Sequence, residues 1–219
     1  MFTITIYFRL LFVEMLKRYF KKDHHFEAGV DEAGRGCLAG PVAAAAVILD
    51  PKKSHRWYKQ LNDSKVLKEN KRNELRKYIE EEALAWSVAF ADHHEIDAIN
   101  ILNASFLAMH RAIESLVMKP SFLVIDGNRF KSYPGIQHVC MIKGDGKFLH
   151  IAAASILAKT HRDELMLKLH EEFPVYCWNQ NKAYGTLLHR NAMEVYGLSP
   201  YHRLSFHCID PKPDLVFSL

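Results

Sequence analysis

Apolar and polar positions along the chain follow two rhythms, and the switches between them predict its elements. Residues 26–32, 86–91 (WSVAFA), 121–126 and 137–142 show the short apolar runs or two-residue alternation of strands. Between them the period lengthens. Residues 68–84 read as a charged amphipathic helix with Leu75, Ile79 and Leu84 on its apolar stripe, and Ser64 offers a cap ahead of it. Residues 101–118 set Leu102, Phe106, Met109, Ile113 and Val117 on one helical face. A long helix over 151–173 starts apolar, turns charged, and stops at Pro174. Residues 41–49 (PVAAAAVIL) stay ambiguous, because four alanines favour a helix while Val42, Val47 and Ile48 favour a strand. Strands alternating with helices predict an α/β domain around a mixed sheet.

Composition narrows the class only a little. At 219 residues, with 49% hydrophobic and 25% charged, the chain fits one globular domain with a substantial core. A formal charge of +4 is compatible with a polyanionic partner. Cys37, Cys140, Cys177 and Cys208 are too scattered for a zinc ribbon or a redox pair, and free thiols in a reducing cytosol are the plain reading. Most of the thirteen histidines read as surface residues, and neither His24-His25 nor His93-His94 is a natural chelate. The apolar stretch within residues 1–13 is broken by Arg9 and too short to span a bilayer; an amphipathic surface helix is the one membrane reading left, and no membrane partner is expected. We read residues 1–24 as an N-terminal extension, with 1–14 lying upstream of a translation start at Met15. We expect residues 25–209 to form one domain and 210–219 a tail.

Three stretches carry the chemistry. Asp31-Glu32 precede Gly34-Arg35-Gly36, Asp126 ends the apolar run FLVID ahead of Gly127-Asn128, and Asp145 lies between Gly144 and Gly146. An acid that ends an apolar run before a glycine sits where a strand leaves a sheet. Acids from distant segments gathered at one such edge make an oxygen-rich site for Mg²⁺ or Mn²⁺. Each alone is equally well a turn residue. On a strand Asp31 and Glu32 point to opposite faces, so both serve one site only where the strand ends. A rival is the dinucleotide fingerprint, which Gly34-x-Gly36-x-x-Ala39 matches; acids ahead of the loop and Pro41 after it argue against that reading. Ser64 and Lys65 could hold a nucleic-acid phosphate, Ser155, Lys159 and Arg162 could face a backbone, and Tyr184 could stack on a sugar or base.

Together these segments resemble the ribonuclease HII family. The resemblance runs from Glu27 to Phe206 through DEAGRGCLAGP (31–41), LNDSKVL (61–67), IDGN (125–128), KGD (143–145), AAASILAKTHRD (152–163), NKAYGT (181–186) and PYHRLSF (200–206). It implies a ribonuclease H-like fold, with a five-stranded mixed sheet flanked by helices and a helical C-terminal portion, and it makes 41–49 a strand. It implies hydrolysis of the RNA strand of RNA–DNA hybrids and incision 5′ of ribonucleotides embedded in duplex DNA. The roles implied are ribonucleotide removal and primer processing, in the cytoplasm, by a monomer. By motif, Asp31, Glu32, Asp126 and Asp145 would be the catalytic acids and hold two divalent ions, Mn²⁺ or Mg²⁺. The Gly34-Arg35-Gly36 backbone would contact the ribose 2′-hydroxyl, and Tyr184 would pack on the following deoxyribose. Lys65, Lys159 and Arg162 would face phosphates, and the tail could dock a replication clamp. The family has Gly before this tyrosine and Pro after it. Here Ala183 and Gly185 stand instead, which implies a less rigid reader of the RNA–DNA junction. A hybrid-binding protein without catalysis is the alternative of a different class, disfavoured because all four acids are present.

Overall fold

The computed structural model describes residues 15–21, 26–62, 64 and 66–206. One sheet runs in the order β3–β2–β1–β4–β5, built from β1 (Glu27–Ala33), β2 (Val42–Ile48), β3 (Ala85–Ala91), β4 (Phe122–Asp126) and β5 (Gln137–Met141). β1, β2 and β3 pair antiparallel, whereas β4 joins β1 and β5 joins β4 in parallel, so the sheet is mixed. Helix α2 (His93–Glu114) covers one face; α1 (Glu69–Glu82) and α3 (Leu149–Glu172) cover the other. Two short helices, α4 (Trp178–Asn181) and α5 (Leu187–Tyr196), follow in the C-terminal portion. No helix among the described residues is long and apolar enough to cross a membrane.

The alanine run is a central strand. Every residue of β2 is buried, with Ala44 and Ala46 against the α2 side and Ala45 and Val47 against the α1 and α3 side. Helices on both faces override the weak strand propensity of alanine, and its short side chain lets them approach closely. α3 answers with Ala152, Ala153, Ala154 and Ala158. The approach is tightest at Gly29 of β1, where a Cβ would lie 2.3 Å from the carbonyl carbon of His150. This contact fixes the start of α3 on the strand that carries Asp31 and Glu32.

Several boundaries depart from the sequence reading. The α1 cap position is Lys68, and Ser64 instead turns its hydroxyl to Ser155, 2.8 Å away. The helix expected from residue 101 starts at His93, behind a capping box of Asp92 and Glu95. Asn100, at φ 64° and ψ 163°, divides it, and the Asn100 side-chain oxygen accepts from the N–H groups of Leu102 and Asn103 to cap the second half. That half ends at Glu114, and Val117, expected on its apolar face, is 89% exposed beyond it. Among the described histidines, His150, His189 and His202 are the buried ones.

Replacing Gly29 by Ala should lower stability by about 1–3 kcal/mol, the usual cost of overpacking a filled interior. Urea unfolding is the check, with a lower midpoint at unchanged slope expected; an unchanged midpoint would contradict the close packing of α3 on β1.

Candidate active site

Parallel pairing brings the two strand-end acids together. β1 and β4 pair Glu27 with Phe122 through Val30 with Ile125, and the next step of that register sets Asp31 beside Asp126. Neighbouring strands lie about 4.8 Å apart, within reach of strong carboxylate repulsion. Glu32, one residue on, opens to the other face of the sheet. The acids thus straddle the sheet end. Asp31 is 5% exposed and hydrogen-bonds the Ser155 hydroxyl of α3, while Glu32 and Asp126 line a cleft of about 260 Å³ walled by Leu102, Phe106 and Met109 of α2.

Their electrostatics follow from this crowding. Burial pushes the Asp31 carboxyl well above the usual carboxylate range, and the charges of Glu32 and Asp126 push it further. Burial raises Glu32 too; Arg35, whose guanidinium donates to Glu32 at 3.0 Å, opposes the rise, and Asp126 adds to it. Asp126 is steadied by the Gly144 N–H, which donates to its Oδ1 at 2.6 Å. Asp145, the next residue along, is buried on a one-turn 3₁₀ helix (Gly144–Gly146), where its Oδ1 accepts from the Gly146 N–H at 2.9 Å. The donor set is oxygen only, as a hard divalent cation prefers, and such a cation would offset the repulsion that raises Asp31 and Glu32. Among the described residues no three ligand side chains converge on one point as they stand. Glu32 is at present held by Arg35.

The glycine loop beside the acids is built from behind. Gly34 has φ +94°, and a Cβ there would lie 2.0 Å from the Arg162 side chain, so only glycine fits. Arg162 was expected to face a phosphate, and the structure corrects this: it is 1% exposed and donates to the carbonyls of Pro41, Ala39 and Lys182. Arg203, a residue to which sequence reasoning gave no role, donates to the carbonyls of Gly40, Arg35 and Gly34. Burial, and then the neighbouring charge of Arg162, lower its pKa to about 10. The peptide bond is planar and trans, so carbonyls turned toward Arg203 turn the N–H groups of Arg35 and Gly36 the opposite way. Gly36 is exposed, and nothing lies within 4 Å of where its Cβ would be. The loop leads into β2 rather than a helix, so the dinucleotide fingerprint falls.

Tyr184 is tied to the same loop. It forms an antiparallel bridge with Cys37, and the Leu38 N–H donates to the Ala183 carbonyl at 2.8 Å. Tyr184 is 42% exposed, with the Lys159 ammonium 5.6 Å from its ring centroid. Lys159, expected at a phosphate, also pairs with Asp163 at 2.7 Å. Ala183 holds φ 66° and Lys182 φ 48°, so the left-handed turn expected of glycine persists with alanine at a cost of about 1–2 kcal/mol. Lys65 lies outside the described residues. A larger cleft of about 380 Å³ between α1 and α3 is lined by charges that pair internally, Arg76 with Glu80 and Glu164, and stands apart from the acids.

Carboxylates at the open end of a mixed five-stranded sheet, beside a loop that turns amide donors outward, define the class: a ribonuclease H-like nuclease. The sequence model described as Ribonuclease HII matches residues 28–209, and the chain belongs to that family. It is 59% identical over 195 residues to a Ribonuclease HII of Bacteroides thetaiotaomicron, covering 89% of this chain and 96% of that one. It is 56% identical over 201 residues to one of Phocaeicola vulgatus, covering 92% and 98%. Its fold matches the crystal structure of the ribonuclease H2 from Pyrococcus horikoshii with a TM-score of 0.72 at 25% identity, over 84% of this chain and 94% of that one. The chain is a metal-dependent ribonuclease, a hydrolase.

The raised carboxylates carry a test by pH. A proton held more tightly in the folded chain makes stability fall as pH rises through the raised values, so the penalty is complete above them and absent below the unfolded ones. In metal-free buffer Asp31→Asn should therefore stabilise the chain at neutral pH by about 1 kcal/mol. The gain should shrink as pH falls toward about 4, the ordinary aspartate range. Urea titrations at stepped pH would show this, and a neutral-pH loss of stability would contradict it.

Proposed function

We propose that this ribonuclease hydrolyses the RNA strand of RNA–DNA hybrids and also cuts 5′ of ribonucleotides embedded in duplex DNA, leaving 3′-hydroxyl and 5′-phosphate ends. The observation that carries the reading is the parallel register of β1 and β4, which sets Asp31 beside Asp126 at the sheet end, next to a loop with outward amides. Asp31, Glu32, Asp126 and Asp145 would hold two divalent ions, Mg²⁺ or Mn²⁺. When bound, these supply Lewis-acid activation of water and neutralise charge on the phosphodiester.

This chain's own groups then sort by task. Asp31 and Glu32, raised by burial, would be eased by a cation held between them. Arg35, which now donates to Glu32 and is half exposed, could instead meet the phosphate next to the scissile bond. The amides of Arg35 and Gly36 can donate to a ribose 2′-hydroxyl, the group that distinguishes RNA from DNA. Tyr184, partly exposed and one bridge away, can pack on the sugar that follows. Leu102, Phe106 and Met109 form the apolar part of the cleft beside Glu32 and Asp126, and Asn128 and Arg129 line its polar part. Ribonucleotide removal and primer processing in the cytoplasm are the roles this chemistry suits.

A labelled DNA duplex carrying one ribonucleotide tests the reading with Mg²⁺, Mn²⁺ or EDTA. We expect a cut 5′ of the ribonucleotide with either metal and none in EDTA, and a loss of at least about a hundredfold in Asp126→Asn. Metal-independent cleavage, or full activity in the variant, would contradict it; binding without cleavage would favour a hybrid-binding protein. Restoring glycine at 183 and proline at 185 should raise the preference for the embedded ribonucleotide over a continuous hybrid. Unchanged rate ratios would remove the idea that Ala183 and Gly185 loosen the junction reader.

A further inference from the structure

Behind the Tyr184 loop lies a buried polar chain that none of the tasks above uses. His189 is 0% and His202 2% exposed. The Tyr184 carbonyl can only accept, so His189 Nδ1, 3.1 Å away, must donate. His189 Nε2 is then the acceptor, and the Trp178 indole N–H donates to it at 3.0 Å. His202 Nδ1 accepts from the Ser199 N–H at 2.9 Å, which leaves its Nε2–H facing His189 Nε2, 3.2 Å away, where it shares that nitrogen's single lone pair with the Trp178 N–H. The Ser199 hydroxyl lies 2.8 Å from the same Nδ1. Each ring is fixed in one tautomer by its partners. The donors therefore point one way, from Ser199 through His202 and His189 to the main chain of Tyr184.

The next residue along, Arg203, holds the Gly34 and Arg35 carbonyls. One short segment, residues 199–203, thus reaches both groups proposed to touch the sugar-phosphate strand: the amides of the glycine loop through Arg203, and Tyr184 through the two histidines. Resting on the ribonuclease reading above, we infer that His189 and His202 are positioning residues which lock Tyr184 against the glycine loop, and that they set the preference for an isolated ribonucleotide over a continuous hybrid. A continuous hybrid presents a ribose at every step and depends little on where the tyrosine sits. An isolated ribonucleotide has a single junction and depends on it strongly.

Two substitutions at one position separate positioning from simple support. In His189→Gln the side-chain oxygen can take the place of Nε2 and still accept from Trp178 and His202, while the donor to Tyr184 is lost. In His189→Asn the amide nitrogen can take the place of Nδ1 and still donate to Tyr184, while the acceptor for Trp178 and His202 is lost. Rates on the embedded-ribonucleotide duplex and the continuous hybrid would be measured for the parent and both variants, together with thermal midpoints. We expect the glutamine variant to lower the embedded-to-hybrid ratio of kcat/KM about fivefold, the factor carried by one hydrogen bond of ordinary net strength. The change should lie mainly in KM for the embedded duplex. The asparagine variant should keep the parent ratio while melting lower than the glutamine variant.

A ratio that moves alike in both variants, or in neither, would overturn the inference. Should either variant fail to fold, His202→Asn keeps an acceptor for the Ser199 N–H and removes the donor to His189; the ratio should then fall by about twofold, and an unmoved ratio would again overturn it. A parent chain that cuts neither substrate would instead sink the ribonuclease reading itself, so the two failures are distinguishable.

Discussion

Two buried guanidinium groups hold this site in shape. Arg162, from the middle of α3, and Arg203, from the C-terminal segment, between them bind the carbonyls of Gly34, Arg35, Ala39, Gly40 and Pro41. Burying two like charges side by side is costly, and the lowered pKa of Arg203 records that cost. The planar fork of arginine offsets it by collecting several carbonyl dipoles at once, which the single ammonium of lysine cannot do as well. The result is a loop with its acceptors turned inward and its donors turned out. Because Arg162 also holds the Lys182 carbonyl, the same ion ties in the turn that carries Tyr184.

Against that fixed loop the acids are set with equal economy. Gly29 lets α3 press onto β1, and α3 brings Ser155 to Asp31. The parallel partner β4 delivers Asp126 to the same end, and the turn after β5 delivers Gly144 to hold it. Crowding Asp31, Glu32 and Asp126 at one sheet end is unfavourable for their charged forms, and a bound cation would relieve it. The fold supplies this crowding from elements on both faces of the sheet, so on the proposed reading metal affinity and the stability of the metal-free chain would draw on the same carboxylates.

Much of this was legible in the chain. Asp31 and Asp126 announce themselves because each ends an apolar run next to glycine, a pattern that a strand leaving a sheet explains. Gly34-Arg35-Gly36 is legible for the same reason. What stayed hidden depends on tertiary partners. A basic residue on a helix reads as exposed, so nothing local reveals that Arg162 points inward, and nothing near Arg203 tells it from a surface arginine. The alanines of β2 carry no period of their own; only helices on both faces make them a strand. Ser64 looks like a cap because its partner Ser155 is distant in sequence, and His189 and His202 look exposed because the indole and carbonyl that hold them lie in other segments. Asn100 breaks its helix by a backbone conformation that its neighbours do not forecast.

The central claim is that outward amides of the Gly34–Gly36 loop read a 2′-hydroxyl for the adjacent acids. The most direct measurement compares cleavage of three duplexes alike except at one sugar, which bears a 2′-hydroxyl, a 2′-fluorine or a 2′-hydrogen, under one divalent cation. The account predicts cleavage of the hydroxyl duplex alone, with the fluorinated sugar cut more slowly by at least about a hundredfold, as expected where a site built to hydrogen-bond a hydroxyl meets an analogue without one. Equal cleavage of all three would contradict it.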